Sequence, residues 1–205
     1  PGASIVCTGF DRPNLHFAVQ RTRDKDRSLL EFLRKHDKQC GVIYCATRSK
    51  VESVTQQLQR HGFKALRYHA GLTPEERRNN QNAFVGGLVP LIVATNAFGM
   101  GIDKADVRFV VHYNMPKDVE SYYQEAGRAG RDGLESECLL LYDKADIAVN
   151  TYLIGHDQPD LVWKAHEMDL LQKMTFYCNT SGCLRRVLLE YFGEKAPAKC
   201  NHCGN

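Results

Sequence analysis

The chain has no Gly-x-x-x-x-Gly-Lys-Ser/Thr segment and no Asp-Glu pair following an apolar strand. The first pattern forms a loop whose backbone cradles nucleotide phosphates, and carboxylates of the second kind hold the accompanying metal ion. We therefore expect that this chain alone does not hydrolyse ATP. No run of about 18 apolar residues occurs, so no membrane span is expected. The opening residues lack the basic and apolar regions of a secretion signal, so no signal peptide is expected. The chain also has no initiator Met, which suggests a fragment or a processed chain.

A large excess of one charge is also missing, because the 205 residues carry a formal net charge of only +3. The charge balance by itself therefore does not predict a basic tail that binds nucleic acid. With 43% hydrophobic residues, the chain can bury the core of one ordinary domain and a small annex. The cysteines are not spaced as a secreted disulfide framework. Cys7, Cys40, Cys45 and Cys138 are predicted to pack as small apolar side chains in a reducing, intracellular compartment.

Short apolar runs alternate with longer amphipathic stretches. Strands are predicted at 41–45, 65–68, 91–94, 107–113 and 138–142, and helices at 49–60, 74–84 and 117–126. This alternation predicts an α/β fold with a parallel sheet flanked by helices. Ligands of such sheets bind beyond the carboxyl ends of the strands. The loops at Thr47, His69, 95–101 and 114–116 are therefore expected to share one rim.

Glycine and proline at 155–159 interrupt this pattern and predict a domain boundary. We expect one domain over residues 1–155 and a small helical annex over 156–205, with helices at about 160–178 and 182–192. Trp163, the only tryptophan, is expected to anchor the annex by packing.

Two arginines, Arg128 and Arg131, lie between the glycines of a QEAGRAGRDG segment at 124–133. Arginine presents a planar fork of donors, and glycine lets the backbone approach a ligand closely. The segment therefore suits a polyanion such as nucleotide phosphates, although a solvated surface turn has the same composition. Without a phosphate loop here, the arginines would act on a nucleotide that another domain holds.

A Cys-x-x-Cys pair, Cys200 and Cys203, follows Cys183 by sixteen intervening residues. This spacing indicates a tetrahedral zinc site with thiolate ligands, and the alternative is a redox pair or unpaired thiols. His202 and Cys178 are poorly placed to serve as a fourth ligand. Arg185 and Arg186, on the helix after Cys183, are either solvated surface charges or supports for nucleic-acid binding beside the zinc.

Several segments occur in one order along the whole chain: FDRPNL (10–15), IYCATR (43–48), YHAGL (68–72), TNAFGMGIDK (95–104), ESYYQEAGRAGRDG (120–133), CLRR (183–186) and YFGE (191–194). In these segments the chain resembles the RecQ family of ATP-dependent DNA helicases. The resemblance implies the second RecA-like domain followed by most of the zinc-binding subdomain. The first RecA-like domain, which carries the phosphate loop and metal-binding carboxylates in this family, is outside the sequence.

The resemblance also implies roles for individual residues. Arg131 matches the arginine finger of the sixth helicase motif, with Gln124 and Arg128 as catalytic partners. Arg128, Arg131 and Asp103 are the residues expected to contact ATP and its Mg²⁺, which the first domain mainly holds. The expected DNA contacts are Thr47, Arg48, His69, Thr95, Asn96 and Met100.

The function implied is a 3′–5′ helicase that unwinds duplex DNA in replication, recombination and repair, located in the cytoplasm or nucleoid of a bacterium or in a nucleus. Backbone contacts without base readout predict sequence-independent, salt-sensitive binding to single-stranded DNA. The family's fourth zinc-binding cysteine would fall at position 206, so weak or incomplete zinc binding is expected here. Two alternatives remain, namely a non-catalytic zinc-containing nucleic-acid-binding module and a helicase that acts on RNA.

Overall fold

The computed structural model describes residues 9–99, 104–157 and 160–205. Cys7, Met100 and Asp103, which the sequence analysis singled out, lie outside these residues. The strands are β1 (Leu15–Arg21), β2 (Gly41–Tyr44), β3 (Ala65–Tyr68), β4 (Leu91–Ala94), β5 (Phe109–His112) and β6 (Ser136–Tyr142). The helices are α1 (Lys25–Lys35), α2 (Arg48–Arg60), α3 (Pro74–Val85), α4 (Val119–Ala126), α5 (Ala145–Asp157), α6 (Leu161–Asn179) and α7 (Leu184–Tyr191).

The six strands form one sheet in the order β1-β6-β5-β2-β4-β3, and every pairing is parallel. The predicted α/β architecture is therefore confirmed. The strand order reverses between β2 and β5, which lie side by side although two other strands separate them in the chain. Crevices at such a reversal are where open α/β sheets bind ligands.

The sequence pattern did not predict β1, α1 or α5. β1 is an edge strand whose later residues are exposed, so the apolar alternation that marks a strand is weak. Helix 117–126 was predicted two residues too long at its start, because Asp118 caps the helix by accepting a hydrogen bond from the Ser121 N–H at 2.6 Å.

The sheet separates two apolar clusters. Along β2, Val42 and Tyr44 point to one cluster, while Ile43 points to the other. The second cluster receives α1 and α2, and the first receives α4, α6 and α7. The annex helices therefore pack into the same core as the helix that precedes the two arginines.

Gly155 lies inside α5, which ends at Asp157. The predicted division at residue 155 stays a prediction. The end of the chain returns to the sheet. Cys203 forms an isolated parallel β-bridge with Phe17 of β1, and the Gly204 N–H donates to the Phe17 carbonyl at 2.8 Å. Among the described residues, no helix combines the length and the apolar character needed to cross a bilayer.

Candidate functional site

The two arginines lie in an irregular loop that follows α4. The helix ends at Ala126 with Gly127 as its C-cap, and the loop then turns through Gly130 at φ +55° and Gly133 at φ +81°. Both φ values fall in the left-handed region that favours glycine. Gln124, on the last turn of α4, and Arg131 are exposed, so both side chains face solvent on this side of the molecule.

Two side chains from the segment before β1 hold the carbonyl groups of this loop. The guanidinium of Arg12 donates to the carbonyls of Gly127, Ala129 and Gly130 at 3.3, 3.1 and 2.9 Å. The amide of Asn14 donates to the carbonyls of Gly130 and of residue 134 at 2.8 and 2.9 Å. The sequence pattern predicted no role for Arg12 or Asn14, because their partners lie more than a hundred residues away.

Arg128 points inward, towards the segment that follows β4. Its Nη1 donates to the carbonyl of Gly99 at 2.6 Å. A Cβ atom on Gly99 would lie 2.0 Å from Nη2 of Arg128, so only glycine permits this approach. Beside it, the phenol of Tyr44 donates to the Phe98 carbonyl at 3.0 Å, and burial raises the pKa of Tyr44, which keeps the phenol a donor. Arg128 thus connects the arginine-bearing loop with the segment at 95–99.

Asp132, next to Arg131, is held by another arginine. Nη2 of Arg108 lies 2.7 and 2.6 Å from the two carboxylate oxygens of Asp132. The hydrogen bond from Arg108 is the main cause of a lowered pKa at Asp132. The carboxylate of Asp132 therefore stays ionised, and it is turned towards Arg108.

A buried polar pair lies under α4. His112, at the end of β5, is fully buried, and its Nε2 lies 3.0 Å from Oε2 of Glu125. Beside the pair, a cavity of about 400 Å³ opens at the carboxyl ends of β2 and β5. Asn96, Asn114 and Trp163 are among its lining residues. Trp163 is half-buried against the main core, as its predicted packing role requires.

The residues expected to contact DNA are placed unevenly. Thr47 and Arg48 are exposed at the start of α2, where Oγ1 of Thr47 accepts from the Lys50 N–H at 3.2 Å. Asn96 is exposed, whereas Thr95 is 9% exposed. Arg48 lies close to the 69–71 turn, because its Cδ would be 3.3 Å from a Cβ placed on Gly71. The structure thus brings several predicted residues to one end of the sheet.

His69 is 5% exposed, and both ring nitrogens have partners. Nδ1 accepts from the Gly71 N–H at 3.2 Å, and Nε2 lies 2.8 Å from Oε1 of Glu52. Oε2 of the same carboxylate accepts from Arg67 at 2.7 Å. His69 therefore stabilises the turn after β3. Any contact of this region with DNA would be made by the residues of that turn.

Three cysteines meet at the far edge of the sheet. The sulfur atoms of Cys183, Cys200 and Cys203 all lie within 4.8 Å of one another, and those of Cys183 and Cys203 are 3.9 Å apart. Burial raises the pKa of Cys183, but the N–H of Arg186 and the neighbouring cysteines outweigh it and hold that pKa below its ordinary value. Zn–S bonds of about 2.3 Å place the sulfurs of a tetrahedral site roughly 3.8 Å apart. The cluster therefore has the chemistry and spacing of zinc ligands.

The other described cysteines are free and do not join this cluster. Cys45, Cys138 and Cys178 are buried, and Cys40 is half-buried. Burial raises the pKa of Cys40 to about 11 and of Cys138 to about 12, so these thiols stay protonated. The packing role predicted for Cys40, Cys45 and Cys138 is confirmed.

Of the two alternatives that the sequence left open for Arg185, a solvated surface charge is excluded, and a support for nucleic-acid binding stays a prediction. Arg185 is 6% exposed, and its guanidinium donates hydrogen bonds to the Asp11 carboxylate at 2.6 Å and to the Leu15 carbonyl at 2.5 Å. Arg186 is exposed and pairs with Glu190 one turn along the helix at 2.7 Å. Only the tertiary structure separates these adjacent arginines, because the partners of Arg185 come from the other end of the chain.

Comparisons with known proteins agree with this arrangement. Residues 24–133 match the helicase conserved C-terminal domain family, and residues 144–205 match the RecQ zinc-binding family. The ATP-dependent DNA helicase RecQ of Bacillus subtilis is 46% identical over 98% of this chain, which covers 34% of that protein. The bifunctional 3′-5′ exonuclease/ATP-dependent helicase WRN of Mus musculus is 40% identical over 96% of this chain and 14% of its own length. A putative ATP-dependent RNA helicase of Acanthamoeba polyphaga mimivirus is 39% identical over 98% of this chain and 36% of its own length.

The chain thus spans about a third or less of the relatives that it matches. The family matches cover strands β2 to β5 with both arginines of the loop, and the annex with its cysteine cluster. The chain belongs to the helicase conserved C-terminal domain family, and its similarity to RecQ proteins extends along nearly its whole length.

Proposed function

We propose that this chain is the second motor domain and zinc-binding annex of a 3′–5′ ATP-dependent DNA helicase, with Arg131 as the arginine finger. The observation that carries the proposal is the loop at 127–134. Its main chain is held by Arg12 and Asn14, while Arg131 is exposed. A finger stabilises the charge that develops on the transferring γ-phosphoryl group, and this requires a guanidinium on a fixed backbone.

ATP and Mg²⁺ are held mainly by the first RecA-like domain of the same protein, because the chain has no phosphate loop. Gln124, Arg128 and Asp103 complete the proposed nucleotide contacts from this side. The contact of Arg128 with the Gly99 carbonyl supports a second role, since it joins the nucleotide side to the segment at 95–99. A displacement of the loop during hydrolysis would then also displace the segment that carries the proposed DNA contacts.

The proposed DNA surface is the end of the sheet that carries Thr47, Arg48 and Asn96. Their exposure supports contacts to phosphates, which position a strand without reading its sequence. Thr95 and His69 lie behind this surface, and Met100 belongs to the same segment. The protein should therefore bind single-stranded DNA in a sequence-independent manner and engage duplex DNA during unwinding. Its location would be the cytoplasm or nucleoid of a bacterium, or a nucleus.

Zinc is proposed to bind Cys183, Cys200 and Cys203, whose sulfur atoms have the required spacing. When bound, the ion supplies a structural cross-link rather than reaction chemistry. The cysteines connect the start of α7 with the end of the chain, which in turn pairs with β1. The annex and the sheet edge would thereby be stabilised together.

The test is DNA-stimulated ATP hydrolysis by the full-length protein that contains this chain. Arg131→Ala should lower the turnover number by about 10³- to 10⁵-fold and leave ATP binding largely intact. Arg27→Ala is the matched control, because Arg27 is an exposed arginine on α1 whose partner is Glu31. Wild-type turnover in Arg131→Ala would remove the finger assignment. Absence of hydrolysis in the wild type would favour the non-catalytic binding module.

A second candidate function is unwinding of RNA, which the name of the mimivirus relative favours. Phosphate contacts do not distinguish the two polymers, and only contacts to the 2′-hydroxyl would do so. Measuring ATP hydrolysis with DNA and RNA strands of matched sequence separates the two candidates. Stronger stimulation by RNA would replace the DNA proposal.

A further inference from the structure

We propose that Arg12 and Asn14 are positioning residues for the finger loop and that Arg185 of the zinc-bearing annex holds them in place. The inference deepens the proposed function, and it rests on the assignment of Arg131 as a finger. It concerns a route of contacts from α7, through residues 11–15, to the loop at 127–134.

The first step is the contact of Arg12 with the loop. One planar guanidinium donates to the carbonyls of Gly127, Ala129 and Gly130. These residues flank Arg128 and directly precede Arg131, so the arginine fork determines the path of the backbone that carries both side chains. A lysine ammonium is a compact charge without a rigid fork and cannot reproduce this geometry.

Asn14 closes the loop at its base. Its amide bridges the carbonyls of Gly130 and Leu134, on either side of Arg131. The backbone carbonyl of Asn14 also accepts from the Ser136 N–H at 3.0 Å. The middle and the end of the loop are therefore joined through one residue of the 11–15 segment.

Arg185 fixes this segment from the annex side. Its guanidinium donates to the Asp11 carboxylate at 2.6 Å and to the carbonyls of Arg12 and Leu15 at 2.8 and 2.5 Å. It is 6% exposed and lies on α7, two residues after Cys183. The buried arginine thus couples the segment to the helix whose N-terminus carries a cysteine of the cluster.

The consequence is that the annex sets where the finger lies. In a transition state, a misplacement of about 1 Å can cost roughly 100-fold in rate. Loosening the 11–15 segment should therefore lower turnover without removing any group that touches the nucleotide. It should leave the Michaelis constant for ATP nearly unchanged, because the finger acts on the transition state.

The test for Arg12 uses the full-length protein with saturating single-stranded DNA, and it measures phosphate release both in a single turnover and in the steady state. Arg12→Lys should lower the rate by about 10- to 100-fold, with the Michaelis constant for ATP changed by less than about 2-fold. In an Arg131→Ala background the same substitution should cause no further loss. Arg27→Lys, at an exposed site on α1, is the matched control and should leave the rate unchanged in both backgrounds.

The two backgrounds distinguish failure of the inference from failure of the proposed function. If Arg131→Ala is impaired and Arg12→Lys lowers the rate equally in both backgrounds, Arg12 acts independently of the finger and the inference is overturned. An unchanged rate in Arg12→Lys overturns it as well. If Arg131→Ala turns over like the wild type, the proposed finger fails and the inference fails with it.

The annex step is tested with Arg185→Lys, which should lower the rate about 10-fold and lose this effect in the Arg131→Ala background. Zinc content and the melting temperature are measured in parallel. If Arg185→Lys is poorly folded, Asp11→Ala removes only the exposed partner of Arg185 and should give a smaller loss of the same kind. Wild-type rates in folded Arg185→Lys, or in Asp11→Ala if the first variant does not fold, would overturn the annex step.

Discussion

Gly130 and Gly133 offer a matched pair for measuring how tightly the finger loop is built. Both have positive φ, and an L-residue there costs about 1–2 kcal/mol. A Cβ on Gly133 meets nothing within 4 Å, whereas one on Gly130 would lie 2.5 Å from Nδ2 of Asn14 and 2.7 Å from the carbonyl of Leu134. Overpacking of this kind adds about 1–3 kcal/mol. We therefore expect losses of about 1–2 kcal/mol for Gly133→Ala and about 2–5 kcal/mol for Gly130→Ala.

Urea unfolding followed by circular dichroism measures both free energies. In a chain of this size, 1 kcal/mol corresponds to a shift of about 2–4 °C in melting temperature, which provides a second readout. Gly62→Ala, also at positive φ and with nothing within 4 Å, is a control outside the loop and should behave like Gly133→Ala. Equal losses in Gly130→Ala and Gly133→Ala would refute the tight packing of Asn14 against the loop.

Three further predictions concern other parts of the molecule. Lys25→Met should cost about 3–5 kcal/mol in urea unfolding, because it leaves Asp146 as a buried carboxylate without its cation at 2.6 Å, and adding Asp146→Asn should recover part of the loss. Burial raises the pKa of Glu52, but hydrogen bonds led by that from His69 lower it below its ordinary value of 4.5. The resulting stability is present above pH 4.5 and is lost as the pH falls through the folded pKa, so Glu52→Gln should flatten the acid side of a plot of melting temperature against pH. The 205-residue chain should retain less zinc in metal analysis than one extended by a few residues, and equal retention would contradict a fourth ligand outside the sequence.

Features that depend on neighbouring residues could be predicted from the sequence. The parallel sheet follows from alternating apolar runs and amphipathic stretches, because each period reflects local backbone geometry. The cysteine cluster follows from spacing, since Cys200 and Cys203 must lie close together. Edge strand β1 was not predicted, because its later residues are exposed and do not alternate clearly between apolar and polar side chains.

Contacts between distant segments could not be predicted in this way. Arg12 reaches carbonyls at 127–130, and Arg185 reaches back to residues 11–15. Nothing near an arginine in the sequence tells whether it will be buried with main-chain partners or solvated, as the contrast between Arg185 and Arg186 shows.

By itself, the sequence determined five of the six described strands, the zinc-type cysteine spacing and the identity of the arginine-bearing segment, because each is a pattern that can be read directly along the chain. The tertiary structure alone decided how that segment is held. Packing of α7 into the core of the sheet brings Arg185 to the 11–15 segment, and that segment supplies the donors for a loop that has no regular secondary structure. Main-chain carbonyls without helix or sheet partners must find donors elsewhere, and here the donors come from the opposite end of the chain.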